Sequence, residues 1–340
     1  MQADLNDFII VQAIEGLDSR SSITLEYNPI FVAPMDTVIS KNNMGEFIRN
    51  GINVCLPRGQ HSEPNDQVFT SFGIEGFEAL MEDEIYNYNG AKILIDVANG
   101  NMPRLHTAIK AFKKLWPESI IMAGNVGSVF AFHSLANSGC DYIRVGIGGG
   151  SGCLTSVHTR VGQGMGSLIQ ACAENRLQNE EIHHVKIVAD GGMQNYGDII
   201  MALALGADYV MLGGLLNKAY ESAGEKYVLT KKGNYKPIDK YLSRHNKSVE
   251  DLIKDGRVFT NFRGMSTKAV QRLWGKKELK SSEGVVKMNK VEYTLDGWME
   301  NFLDYLKSAM SYTGSQSLAS FKATTLVEQI TDNVYRRFNK

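Results

Sequence analysis

An excess of charge of one sign is missing from this chain: 36 Lys and Arg stand against 37 Asp and Glu in 340 residues, a formal charge of -1. Without a global basic field, nucleic acid is not the expected partner, and any anion site must be local. Cysteine is scarce as well. The four present, Cys55, Cys140, Cys153 and Cys172, have neither Cys-x-x-Cys spacing nor the density of a disulfide scaffold. That argues against a zinc site and for reduced thiols in the cytoplasm. No apolar run approaches the roughly 18 residues of a membrane span, and Asp4 and Asp7 occupy a stretch where a secretory leader needs basic residues. The expectation is a soluble cytoplasmic protein with no membrane partner.

What is there is a rhythm of short, β-branched runs separated by helix-like stretches, the mark of βα units and a parallel sheet buried on both faces. Candidate strands are 30–33, 53–56, 92–97, 120–123, 142–147, 186–189, 209–212 and 258–261. Eight is the closure number of a (β/α)8 TIM barrel. Polar and glycine residues cluster after the strands and not before them, as in Pro34-Met35-Asp36-Thr37, Ala98-Asn99-Gly100, Asp190-Gly191-Gly192 and Arg263-Gly264-Met265. In such a barrel these positions share the C-terminal face, where the chemistry of the fold is placed.

The run from Gly146 to Thr155 puts Cys153 into a glycine-rich turn directly after an apolar strand. Glycines let backbone N–H groups approach an anion, so a phosphate beside a thiol is the expectation. Asp190-Gly191-Gly192 and Gly213-Gly214 lie on successive strands, matching the phosphate site built from the late loops of barrels. An ionised Asp190 can additionally accept ribose hydroxyls. A nucleoside monophosphate is the ligand these signals fit together.

Residues 1–340 read as a single barrel domain, with 219–256 as a lysine-rich surface-loop insertion carrying a short helical hairpin at 238–242 and 249–254. Residues 266–290 read as a mobile active-site flap, and a helical segment with Trp298, Phe302, Tyr305 and Leu306 at helical spacing follows.

Taken together, Pro34–Val38, Asp96–Gly100, Met122–Val126, the Gly146–Thr155 loop, Asp190–Gly192, Met211–Gly214 and Gly264–Ser266 resemble the IMP dehydrogenase / GMP reductase family in order and spacing. Within it the chain is similar to the reductase branch. Ser282-Glu283-Gly284 follows Gly264-Met265 closely, with no Arg-Tyr pair of the kind that activates water in the dehydrogenases. Gly59 to Gly90 has no room for a regulatory tandem (CBS) module, Phe262 stands where dehydrogenases carry a phosphate-binding tyrosine, and Ser19-Arg20-Ser21 follows the reductase pattern.

The resemblance implies NADPH-dependent reductive deamination of GMP to IMP and ammonia, through a thioimidate on Cys153 with Thr155 and Glu283 supplying the proton. It implies that Ser151, Asp190, Gly191, Gly192, Gly213, Gly214, Gly264, Met265, Ser266, Lys280, Ser282 and Gly284 bind GMP. Ser19, Arg20, Arg58, Asp96, Val97, Ala98, Ser308 and Ser311 would face NADPH, some of them across a subunit boundary in a homotetramer. Potassium is implied at the carbonyls of Gly148, Gly150 and Cys153.

The chain departs from the family at Gly149 and Gly164, which stand for prolines, and at Leu154, Ser156 and Arg160. Two lost prolines predict a more mobile loop. Two other readings remain open at this point: IMP dehydrogenase running the opposite redox direction with NAD, and a non-catalytic barrel that binds purine nucleotides.

Overall fold

A computed structural model describes residues 2–60, 66–82, 86–243, 248–275, 278–279 and 281–338. Eight parallel strands close into a barrel: β1 Ile30–Val32, β2 Asn53–Leu56, β3 Phe69–Phe72, β4 Lys92–Asp96, β5 Ile120–Val126, β6 Tyr142–Val145, β7 Lys186–Asp190 and β8 Tyr209–Leu212. Closure is made by β8 against β1, with Ile30 opposite Val210 and Val32 opposite Leu212. Helices such as Pro103–Leu115, Val129–Ala136, Met165–Gln178 and Tyr196–Ala204 bury their apolar stripes on the outer wall. The fold is a (β/α)8 TIM barrel, as the alternating pattern predicts.

The membership of the barrel differs from the expectation at one strand. The run at 258–261 is not a stave of the barrel, and β3 is. Phe69-Thr70-Ser71-Phe72 lacks an apolar run, yet Thr70 and Ser71 are buried. Val258–Arg263 alternates buried and half-buried residues, the period of a sheet with one covered face. It pairs antiparallel with Lys226–Leu229 and Val286–Lys290, and Tyr235–Pro237 completes this outer sheet. Helices Ile238–Leu242 and Val249–Lys254 pack on it around Val228, Ile238, Tyr241, Leu252, Val258 and Val291. The segment expected as a surface loop thus supplies two strands, two helices and part of a small apolar core.

Inside the barrel Phe31, Cys55, Phe69, Leu94, Met122, Val188 and Met211 fill the middle, and Tyr142 and Tyr209 seal the N-terminal end with ring centroids 5.7 Å apart. Two residues further along the same inward-facing rows stand Asp96, Arg144 and Asp190. The apolar floor therefore ends in a charged layer at the C-terminal mouth.

The chain ends cover the outside. Phe8–Ile10 pairs with Val327–Gln329, and helix Leu295–Tyr312 buries Trp298, Phe302 and Leu306. Tyr305 departs from the expected core role, remaining 52% exposed with its ring 5.3 Å from that of Tyr196.

Asp208 locks this outer layer to the barrel. Its buried carboxylate is paired with Arg176, accepts from Lys322 at 2.5 Å, and accepts the Ile187 N–H at 2.9 Å. Burial works to raise this carboxyl, but Arg176 and Lys322 outweigh it and hold it below the usual range. A depressed folded value contributes stability above the unfolded carboxylate range, which is lost as pH falls through the folded value. Asp208→Asn leaves two cations facing a neutral group and is expected to cost about 3–5 kcal/mol. Urea unfolding at neutral pH measures this, and the difference from the parent should shrink in acid; an equal gap at both pH values would remove the carboxylate from the account.

Candidate active site

The loop after β6 carries the thiol. Cys153 is half-buried, and its Sγ donates to Thr155 Oγ1 at 3.3 Å, while the Thr155 hydroxyl donates to Glu283 Oε2 in a very short contact. Residues 151 to 155 and 282 to 285 are joined along their backbones. Leu154 N–H donates to Glu283 O at 2.6 Å and Val285 N–H to Gly152 O at 3.1 Å, with a bridge between Cys153 and Gly284. The flap is therefore docked, and docking is what delivers Glu283 to the thiol. The three residues expected to act together are together.

The other three thiols are of a different kind. Cys55, Cys140 and Cys172 are buried, and burial pushes each upward, Cys172 to about 12. A thiol so placed stays protonated and inert.

The glycine loops converge on the same spot. Gly191 holds φ at +98°, and a Cβ there would stand 2.9 Å from Gly150 N; only glycine accepts both conditions at low cost. Gly192 N–H donates to Gly149 O at 2.9 Å. A Cβ on Gly214 would meet Ser151 Oγ at 2.5 Å, and one on Gly264 would meet Gly152 O at 2.2 Å. Gly213 lies against Met35, and Ser266 Oγ against Gly284. Ser282 Oγ donates to Gly284 O at 3.4 Å. The expected nucleotide residues thus gather around Ser151 to Cys153, except Met265, which lines a neighbouring cavity, and Lys280, which lies outside the described residues.

Beneath the hollow, Arg144 bridges two carboxylates. Its Nη1 donates to Asp96 Oδ1 at 2.7 Å, and its Nη2 and Nε donate to Asp190 Oδ2 at 2.7 and 3.0 Å. Asn125 Nδ2 donates to the same Oδ2 at 2.9 Å. Among the described residues these bonds leave Oδ1 of Asp190 open for a further donor. Burial opposes ionisation of Asp96, but Arg144 and Arg58 overcome it and keep the carboxyl low. Arg144 and Asn125 are absent from the expected site set. An arginine inside an apolar β6 run was the available signal, since an ion buried in a barrel needs partners.

Arg58 joins this network 3.2 Å from Asp96 Oδ2, with its guanidinium 4.5 Å from the Trp274 ring centroid. Both line a cavity of about 680 Å³ with Asp36, Ser71, Phe72, Gly73, Glu75 and Met265. The Ser71 hydroxyl is buried there with no hydrogen-bond partner among the described residues, the condition of a group awaiting a ligand. Val97 and Ala98 follow directly on Asp96, and Val97 N–H donates to Gly124 O at 2.9 Å.

The other expected cofactor residues form a second cluster. Arg20 lies 3.5 Å from Asp304, Leu17 N–H donates to Ser311 O at 2.9 Å, and Ser311 Oγ donates to Ser308 O at 2.9 Å. Ser19 caps the short turn at Arg20–Ser22. This cluster rides on helix Leu295–Tyr312, packed against the helix that follows β7, three strands around the barrel from Asp96.

For the expected cation, Gly148 O already accepts from Ser156 Oγ at 3.3 Å and Gly150 O from Cys153 N–H at 2.9 Å. Each of these carbonyl oxygens keeps a second lone pair for a cation. At the two positions where prolines are replaced space is short: a Cβ at Gly149 would stand 3.3 Å from Gly192 N, and one at Gly164 2.6 Å from Ala3 O.

A model of the IMP dehydrogenase / GMP reductase domain matches residues 75–337. A GMP reductase of Ligilactobacillus salivarius is 29% identical over 314 residues, covering 88% of this chain and 85% of that protein. One from Buchnera aphidicola subsp. Acyrthosiphon pisum is 30% identical over 333 residues, 92% of this chain and 85% of its own. GMP reductase 2 of Mus musculus is 30% identical over 246 residues, 71% of this chain and 62% of the mouse protein. No described helix is long and apolar enough to cross a membrane.

Proposed function

The chain belongs to the IMP dehydrogenase / GMP reductase family, and from that premise we propose that it is a GMP reductase, converting GMP to IMP and ammonia at the expense of NADPH, a purine interconversion of the salvage kind. The observation that carries this reading is the hydrogen-bonded line from Cys153 through Thr155 to Glu283. Its polarity runs from thiol to hydroxyl to carboxylate, the direction that makes a thiolate and stores the proton on Glu283.

Thiolate attack on C2 of the guanine ring then forms an S–C bond. The stored proton, handed back through Thr155, lets the exocyclic nitrogen leave as ammonia with the C–N bond. NADPH, when bound, supplies hydride to C2 of the resulting thioimidate, and the thiolate departs with IMP formed. Asp190 Oδ1 would hold the ribose hydroxyls, and the loop amides around Gly191, Gly192, Gly213 and Gly214 the phosphate. Ser151, Gly264, Met265, Ser266, Ser282 and Gly284 would close over the base and phosphate.

The cavity beside Arg58, Asp96, Val97 and Ala98 fits the reactive end of a dinucleotide. Ser19, Arg20, Ser308 and Ser311 of one copy would reach the other end in a neighbouring copy, consistent with a homotetramer. The segment between Gly264 and Glu283 contains no Arg-Tyr pair, which favours reduction over water activation. Absorbance at the nicotinamide band decides the matter: loss of NADPH with GMP is expected. NADH formed from IMP and NAD at a comparable rate would make it a dehydrogenase, and silence in both assays with tight GMP binding would make it a binding protein.

A further inference from the structure

Asn217 is a fully buried amide whose bonds reach three separate parts of the chain. It is the last residue of the short helix Gly214–Asn217, which follows Gly213 at the hollow. Its Nδ2 donates to Thr37 O at 2.8 Å and to Asn261 O at 3.1 Å, and its Oδ1 accepts from Asn289 Nδ2 at 2.8 Å. Both donors and the acceptor of the side chain are thereby engaged.

The partners are the two roots of the flap and the loop after β1. Asn261 lies on Val258–Arg263, the strand that runs into the flap, and Asn289 on Val286–Lys290, the strand that returns from it. Thr37 in turn accepts the Arg263 N–H on Oγ1 at 3.4 Å. The turn after the helix is fastened to the same place. Ser222 Oγ donates to Asn217 O at 2.9 Å, and Lys226, opposite Thr260 in the outer sheet, donates from Nζ to Ser222 O at 2.7 Å, Gly224 O at 2.6 Å and Thr260 Oγ1 at 3.3 Å. Apolar burial is non-directional and leaves a sheet free to shift slightly on its support, whereas a buried amide with fixed partners is satisfied in one arrangement. One short helix therefore carries the glycine loop at its start and the register of both flap roots at its end.

We propose that Asn217 is a positioning residue that sets the flap in register with the hollow, so that docking brings Glu283 to the Thr155 hydroxyl. It acts through the two strands and not on the thiol. The proposal rests on the flap of the proposed reaction, yet its readout is the position of the flap and not turnover.

Trp274 reports that position, because it caps helix Lys268–Leu273 and rests against Arg58, whose guanidinium is 4.5 Å from its ring centroid. The other two tryptophans pack elsewhere, Trp116 on Phe112 and Trp298 on Phe302. Acrylamide quenching of the whole protein compares the parent with Asn217→Ala, each with and without Trp274→Phe. Asn217→Ala is expected to raise quenching about twofold while Trp274 is present and to leave it unchanged in the Trp274→Phe background. At saturating GMP its rate of NADPH oxidation should fall about tenfold with little change in KM, since the proton relay is assembled less often. Asn289→Ala, which removes only the donor to Oδ1, should move both readouts the same way by less, and it decides the matter if Asn217→Ala fails to fold. Quenching that stays unchanged in both variants, or rises equally without Trp274, would make Asn217 a packing residue of the outer sheet and end the proposal. Raised quenching at Trp274 in a protein that fails to oxidise NADPH would uphold Asn217 and overturn the reductase.

Discussion

If the proposed reaction holds, Cys153→Ala is expected to abolish NADPH oxidation with GMP, on the order of ten-thousand-fold in rate, while GMP binding changes little. The loss is total in practice because nucleophile and proton relay act as one unit, and removing the first member leaves the rest with nothing to activate. Binding survives because the hollow is held by backbone contacts that no thiol makes, such as Gly192 N–H to Gly149 O at 2.9 Å and Val285 N–H to Gly152 O at 3.1 Å. Initial rates and calorimetry on the same preparation read both halves. A parallel check uses iodoacetamide. Of the four thiols only Cys153 is not buried, so intact-mass analysis should find one adduct in the parent and none in the variant. Residual rate above about one percent of the parent, or equal labelling of both proteins, would move the chemistry off this thiol.

Arg144→Met is expected to do the largest structural damage of any single change at the mouth. It strands Asp96 and Asp190, both nearly buried and now sharing no guanidinium, and loss of one member of such a network costs about 3–5 kcal/mol. The Asp96 carboxyl, held low by Arg144 in the parent, would respond by taking up a proton at higher pH, so stability of the variant falls as pH rises through that range where the parent stays flat. Activity falls as well, since Asp190 loses its orientation toward ribose and Asp96 toward the cavity. Arg144→Lys keeps the charge but cannot reach both carboxylates with one fork, and it should land between the two. Urea melts near pH 6 and pH 8 measure this, and an unchanged midpoint at both would show that the triad is not what holds the mouth together.

The barrel was legible because its strands are buried on both faces and read as apolar runs, as in Ile93-Leu94-Ile95 of β4. β3 was hidden by Thr70 and Ser71, whose burial depends on neighbours far away in the chain. The outer strand Val258–Arg263 counted as an eighth stave because a short β-branched run carries no label of which sheet it joins. Of the site, Cys153 could be named from its glycine-rich turn, and Thr155 and Glu283 only through the family resemblance, since they lie far apart in sequence and meet only through the docked flap. Arg144 escaped notice because a lone arginine in a strand gains meaning only when both carboxylates are seen around it. Ser71 escaped for the same reason, since an orphaned hydroxyl is a property of packing and not of composition.

The base of the flap has a consequence for how such a protein can change over time. Arg263 and Val286 are cross-strand partners, so the two ends of the intervening segment are pinned side by side whatever the segment does. Once the ends are fixed, the entropy of closing the loop grows only with the logarithm of its length, about 0.6 kcal/mol for each doubling. Residues can therefore be inserted or removed between these anchors at little cost to the barrel, while the strand pair returns the segment to the same doorway. Changes of length ahead of Ser282 would leave these anchors in place, whereas changes at Glu283 to Val285 would reach the thiol loop directly, because that is where its backbone is held.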